Sequence, residues 1–194
     1  MIHGIPMIDC IVPLSLSVDG EQFIRDYKHI KRNYPHHFDT YTGINLKKPR
    51  RILDDEGLTY GCGSLSDYPG LKESDYDTPT NELKHLYVSN IIQSIEDYTS
   101  VYYGTKIGRA RIMVLKAKSC QTWHVDKEDA NRYHIPIITN DGCMFVHETP
   151  KGKVVSQMSE VGRLYSFNSS IPHTAINASR EDRVHLVLSG YYSN

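Results

Sequence analysis

From Ile107 onward the chain changes period, and that change bounds the folds open to it. Ala110, Ile112 and Val114 alternate with Arg109, Arg111, Met113 and Leu115, the spacing of an extended segment with two distinct faces. Further strand-like runs read at 123–126, 133–139, 143–147, 153–158, 163–168, 173–177 and 184–189. Asn140-Asp141-Gly142 is a hairpin signal, Lys151-Gly152 a looser one, and Ser179 to Asp182 closes the last hairpin. About eight short strands at near-regular spacing predict a sandwich or jelly roll.

The first half reads differently. Asp19 can cap a helix whose stripe is Phe23, Tyr27 and Ile30, ending before Pro35. Thr78-Pro79 predicts a second helix, with Thr as N-cap and Pro at the first helical position, and an apolar face of Leu83, Leu86, Tyr87, Ile91, Ile95 and Tyr98. Between them, residues 33–79 have no sustained period; a run this long inside a compact domain is either functional, covering the mouth of a site and touching substrate, or surface loop. With 194 residues the expectation is one domain. Residues 1–106 would buttress and cover, and 107–194 would form the β core with the site.

The net charge of −1 gives no global pull toward nucleic acid or an anionic membrane. Lys28 to Arg32 and Lys47 to Arg51 read as solvated faces or loops. Cys10, Cys62, Cys120 and Cys143 form no C-x-x-C pair and read as reduced thiols of a cytoplasmic protein. The N-terminus has no basic segment before its apolar stretch, so no signal peptide is expected, and no apolar run approaches a membrane span.

Site chemistry concentrates in Thr122-Trp123-His124-Val125-Asp126. In an extended segment His124 and Asp126 leave the backbone on one face. A second imidazole from a distant strand, His173, would complete a two-histidine, one-carboxylate set, which suits non-haem Fe(II) and leaves positions for oxygen and a chelating co-substrate. Ten positions past His173 stands Arg183, whose guanidinium fork suits a dicarboxylate such as 2-oxoglutarate. His37-Phe38-Asp39 repeats the H-x-D spacing in an irregular stretch and reads as loop. His134, His147 and His185 are rivals for the distal ligand, and His147 lacks a downstream arginine, since position 157 is Gln. Arg109 and Arg111 read more simply as solvated arginines than as substrate contacts. Ser166 and Asn168 are weaker candidates for orienting ligands.

Taken together, His124-Val-Asp126, Arg132-Tyr-His-Ile-Pro-Ile-Ile-Thr-Asn140, Gly162-Arg-Leu-Tyr-Ser-Phe-Asn168, His173-Thr-Ala-Ile-Asn177 and Glu181-Asp-Arg-Val-His-Leu186 resemble the Fe(II)/2-oxoglutarate oxygenases, in particular the aspartyl/asparaginyl β-hydroxylase-like family. The resemblance implies a double-stranded β-helix of the cupin class, with helices packed on one face. It implies Fe(II) on His124, Asp126 and His173, and 2-oxoglutarate on Arg183 with Arg132 and His134 assisting. It also implies O2 as oxidant, ascorbate as a stimulant, and succinate and CO2 as products. The expected substrate is an amino acid, free or in a peptide, as for aspartyl, asparaginyl or prolyl hydroxylases. The carboxylate ligand favours hydroxylation over halogenation, where a halide takes that place. Mammalian members lack it, so the similarity is closer to bacterial and phage-type enzymes. The competing expectation is a non-catalytic cupin that binds a metal or small acid. Nucleic-acid demethylation is a weaker third.

Overall fold

The computed structural model of the protein describes residues 10–40, 42–126 and 131–192. The first nine residues, on which the signal-peptide expectation rests, lie outside these. In chain order the elements are β1 (Ile11–Ser17), α1 (Gly20–Asn33), α2 (Pro35–Thr40), β2 (Gly43–Asn45), β3 (Lys47–Lys48), α3 (Asp54–Gly57), β4 (Thr78–Pro79) and α4 (Tyr87–Tyr103). There follow β5 (Thr105–Leu115), β6 (Ser119–Cys120), β7 (Asn131–Ile138), β8 (Cys143–Thr149), β9 (Gly152–Ser156), β10 (Arg163–Phe167), β11 (His173–Asn177) and β12 (Arg183–Tyr192).

Two antiparallel sheets make the core. One has the order β1-β10-β7-β12-β5-β2, the other β6-β11-β8-β9. Neighbours in space are distant in sequence, as the crossing connections of a jelly roll require. The fold is therefore mainly β with flanking helices and a jelly-roll core. The N-terminal part contributes edge strands β1 and β2 to the larger sheet as well as covering it.

The alternation in β5, β7 and β12 sorts the chain into two interiors. Ala110, Ile112, Val114, Tyr133, Ile135, Ile137, Val184, Leu186 and Leu188 pack with Phe23, Tyr27, Ile30, Ile91 and Ile95 of α1 and α4 in one apolar cluster. Burying each large side chain of this kind contributes roughly 1.5–3 kcal/mol. The opposite faces turn toward the second sheet, where Phe145, Phe167, Tyr165, Met158 and Ala175 form a smaller cluster beside a polar cavity.

α1 starts where the sequence predicts, with the Asp19 carboxylate accepting from Gln22 N–H at 2.9 Å. The second helix does not. Thr78 and Pro79 are extended and pair with Lys48 and Lys47, and α4 begins nine residues later at Tyr87. Its N-terminal cap comes from another helix, for Val88 N–H donates to the buried Asp26 carboxylate at 2.7 Å. Sequence proximity favoured the Thr-Pro pair, whereas a carboxylate delivered by α1 satisfies the helix end. Gly104 closes α4 with φ +66°, the left-handed C-terminal residue that glycine adopts without strain.

Lys47 and Lys48 also depart from expectation, since both are buried. Lys47 Nζ donates to the Ile107 carbonyl at 2.5 Å, and Lys48 Nζ lies 3.0 Å from Asp54. Their alkyl stems pack while their ammonium groups find acceptors. His37 and Asp39 lie on the short α2 rather than in a loop. No disulfide is present among the described residues, and no described helix is long and apolar enough to cross a membrane.

Candidate active site

A cavity of about 700 Å³ opens between the sheets, lined by Arg109, Arg111, Arg132, His134, Arg183 and Val187 on the larger sheet. His124, Asp126, His173 and Phe145 line it from the other side, and Gly63, Ser64, Leu65 and Glu73 from the irregular segment. That segment therefore touches the cavity and is not a detached surface loop.

His124, Asp126 and His173 offer one ligand atom each within 4.8 Å of one another. Residues 123–126 form no strand; His124 makes a single antiparallel bridge to His173. His124 N–H donates to the His173 carbonyl at 3.1 Å, His173 N–H returns the bond at 2.9 Å, and Asp126 N–H is held by the Ser169 carbonyl at 3.0 Å. The ligand-bearing segments are thus tied by backbone.

The imidazoles share one device. His124 Nδ1–H donates to the Thr122 carbonyl at 2.8 Å, and His173 Nδ1–H to the Ile171 carbonyl at 2.9 Å. A carbonyl can only accept, so each neutral ring keeps its hydrogen on Nδ1 and a lone pair on Nε2, the form that binds a metal. Burial lowers the pKa of His173 and outweighs the Ile171 carbonyl, which keeps it in that neutral form. Asp126 Oδ1 stands 3.8 Å from His124 Nε2. Burial works against ionisation of Asp126, but the charge and hydrogen bond of Arg132 win and hold its carboxyl below the usual range.

Arg132 has protein acceptors on all three nitrogens. Nε donates to Asp126 Oδ2 at 2.7 Å, Nη2 lies 2.7 Å from Glu73 Oε1, and Nη1 donates to Ser189 Oγ. Three of its five N–H groups are thus engaged within the protein, two of them on carboxylates. Its observed place is behind the carboxylate, fixing Asp126. Glu73 was not singled out from sequence; a lone acid in an aperiodic stretch carries no signal. Gly108 lets its turn lie against β5, since a Cβ there would stand 2.2 Å from the Glu73 carbonyl oxygen. Glu73 Oε1 also receives Arg109 Nη2 at 2.7 Å.

Arg109 and Arg111 are buried, contrary to their expected exposure. The turn at 61–63 supplies their acceptors. Gly61 carbonyl takes Arg109 Nη1 at 2.6 Å, and Cys62 carbonyl takes Arg111 Nη1 at 2.6 Å. Gly61 adopts φ +62° with Tyr76 close against it, a backbone position for which only glycine is unstrained.

Arg183 is 5% exposed, and its Nε and Nη1 have no hydrogen-bond partner among the described residues. Phe145 lies under its guanidinium carbon at 4.7 Å, which fixes its plane. Burial pulls its pKa down to about 10, so it stays a cation at neutral pH. His134 lies on the neighbouring strand β7, with Nδ1 3.4 Å from Nδ1 of His185. Burial, then the nearby Arg183 charge, pushes both rings well below the ordinary histidine pKa. His147 sits behind His173 with ring centroids 5.7 Å apart and donates to, or is held by, no metal-facing group among the described residues; its Nε2–H meets the Asn168 carbonyl at 3.1 Å. Asn168 in turn orders Ser170, not a metal ligand.

This geometry can be set beside known proteins. The family model described as Aspartyl/Asparaginyl beta-hydroxylase matches residues 68–191. The chain belongs to the aspartyl/asparaginyl β-hydroxylase family. It is thereby an enzyme of the 2-oxoglutarate-dependent hydroxylase class. No curated protein sequence matches it. Among solved structures the hydroxylase is similar to a Pseudomonas putida prolyl-4-hydroxylase, at 11% identity over 96% of this chain and 95% of that one, with TM-score 0.54. EctD from S. alaskensis with 2-oxoglutarate and 5-hydroxyectoine matches at 9% identity, 95% and 72% coverage and TM-score 0.55. The non-heme monooxygenase ThoJ, as its nickel complex, matches at 11% identity, 95% and 74% coverage and TM-score 0.55. At such identities these likenesses establish the hydroxylase's fold.

Proposed function

We propose that the protein hydroxylates an amino acid, free or within a peptide, using Fe(II), 2-oxoglutarate and O2 and releasing succinate and CO2. One observation carries this reading. Two imidazoles with bare Nε2 atoms and an ionised carboxylate share a cavity with a buried arginine that has two donors without a partner among the described residues. A binding module for a metal alone has no need of the second feature.

The donor set fits Fe(II), and His124, Asp126 and His173 would hold it. Iron bound there supplies the oxidising power that couples decarboxylation of 2-oxoglutarate to transfer of one oxygen atom to substrate. The chain's own residues do the rest. Arg132 keeps Asp126 ionised and turned toward the histidines. Arg183 pairs with the far carboxylate of 2-oxoglutarate, an anion that matches its guanidinium fork. His134, held neutral, faces the cavity without adding charge. Phe145 and Phe167 form an apolar wall that limits water beside the reacting groups.

The test is a succinate assay on purified protein given Fe(II), ascorbate, O2 and 2-oxoglutarate, with pooled amino acids and peptides screened by mass for the gain of one oxygen. Succinate above an Asp126→Ala control, with one pool member oxidised, is the expected result. Iron-loaded protein that makes no succinate above that control would favour a metal- or acid-binding cupin instead.

A further inference from the structure

Four arginines reach the cavity, and among the described residues two carboxylates, Glu73 and Asp126, line it with them. Glu73 Oε1 takes both Arg109 and Arg132, each at 2.7 Å, and Asp126 takes Arg132 again. Arg183 and Arg111 form no ion pair among the described residues. On the hydroxylase reading Arg183 is assigned to 2-oxoglutarate. Arg111 is left over.

Arg111 and Arg183 enter the cavity from different strands and different heights. Across the β5–β12 pairing Arg183 stands opposite Leu115, and Arg111 stands opposite Val187. Four residue steps along a strand separate their backbones by about 13 Å. The next pairing places Val187 opposite His134, so Arg111 flanks the middle of the cavity from the β5 side.

Its nitrogens are only partly used. Nη1 donates to the carbonyls of Cys62 at 2.6 Å and Gly63 at 3.2 Å, which fixes the guanidinium plane. Nε is buried without a partner, and Nη2 makes no hydrogen bond among the described residues. Those two nitrogens are the adjacent edge that grips a carboxylate or phosphate side-on. A role confined to holding the 62–63 turn would use one nitrogen and leave this buried cation only the charge of Glu73, which Arg109 and Arg132 already share at closer range, and an under-compensated buried charge is costly.

We propose that Arg111 is a specificity-determining residue, and that the substrate carries an anionic group, carboxylate or phosphate, away from the carbon that is hydroxylated. This inference rests on the hydroxylase reading for the word substrate, and the anion site itself can be tested apart from turnover.

The protein is loaded with redox-inert Mn(II) and saturated with 2-oxoglutarate, so that Arg183 is occupied. Inorganic phosphate and propionate are then titrated calorimetrically into wild type, Arg111→Gln and Arg111→Lys. Glutamine keeps an amide N–H for the Cys62 carbonyl and so protects the fold, which a thermal melt checks; lysine keeps the charge. At least one probe should saturate wild type, weaken by about tenfold or more in Arg111→Gln and recover in part in Arg111→Lys, while 2-oxoglutarate affinity holds. Which probe binds tells phosphate from carboxylate. The proposal is overturned if neither probe binds wild type, or if Arg111→Gln binds as well as wild type. It is equally overturned if Arg111→Gln weakens 2-oxoglutarate as much as the probe. Should 2-oxoglutarate itself fail to bind wild type while a probe still binds through Arg111, the hydroxylase reading falls and the anion site stands.

Discussion

Arg132 Nε donates to Asp126 Oδ2 at 2.7 Å, and the other carboxylate oxygen, Oδ1, faces His124 at 3.8 Å. One oxygen is anchored so that the other is aimed. Arg132→Lys keeps a charge but cannot reach Asp126, Glu73 and Ser189 together. Metal affinity should fall roughly 10–100-fold, the usual cost of losing a group that orients a ligand. Anaerobic Fe(II) titration measures it, and an unchanged affinity would show that Asp126 needs no such anchor.

His173→Ala removes a ligand whose Nε2 nothing else among the described residues replaces. Tight Fe(II) binding should be lost while the protein stays folded by circular dichroism. Wild-type binding by this variant would mean that the metal lies elsewhere, with His147 the nearest imidazole behind it.

Arg183→Ala should separate the co-substrate from the metal. It deletes a charge-assisted contact worth roughly 1.5–3 kcal/mol, so 2-oxoglutarate affinity should drop by about an order of magnitude or more. Fe(II) affinity should change little. Equal losses for both ligands would point to a disturbed fold.

Glu73→Ala should cost stability out of proportion to its size. The carboxylate is 3% exposed and pairs with two guanidiniums, so its removal leaves Arg132 with Asp126 alone and buried Arg109 without an ion-pair partner among the described residues, at roughly 3–5 kcal/mol. Urea unfolding reads this directly. A loss below about 1 kcal/mol, the scale of exposed pairs, would mean that the arginines find other partners.

Acid should weaken the fold before it touches most carboxylates. His134 and His185 are held well below the ordinary histidine pKa by burial and Arg183. His147 is pushed down to about 4 by burial and then by His173. All three shifts are downward, so the unfolded chain binds more protons below about pH 6.5. Stability is then full above that pH and lost as pH falls, by about 1.4 kcal/mol per pH unit for each of these imidazoles. Urea melts of metal-free protein at pH 7, 6 and 5 should show the decline, and a flat profile would mean that these rings are protonated when folded.

Much of this was legible in the chain. The period-two runs gave the strands, because a sheet with one apolar face must alternate. His124, Asp126, His173 and Arg183 could be named from their spacing, although residues 123–126 make one bridge to His173 rather than the strand expected. The remainder depends on partners that no local pattern encodes. Thr78-Pro79 has the look of a helix start, yet the cap of α4 is Asp26 on another helix. Arg109 and Arg111 looked solvated, since nothing nearby in sequence announces Glu73 or the carbonyls at 61–63 as acceptors. Arg132 was tied to 2-oxoglutarate by resemblance, and its pairing with Asp126 and Glu73 emerged only in three dimensions.

The paired backbone bonds between His124 and His173 bear on what the metal must do when it arrives. A ligand set drawn from separate loops would have to be gathered by the ion, and much of the ion's affinity would go into halting chain motion. Here the gathering is done by the same amide-to-carbonyl exchange that knits any β-bridge. On the hydroxylase reading the centre would be a socket cut into the wall, with the backbones of His124 and His173 already joined before any ion arrives.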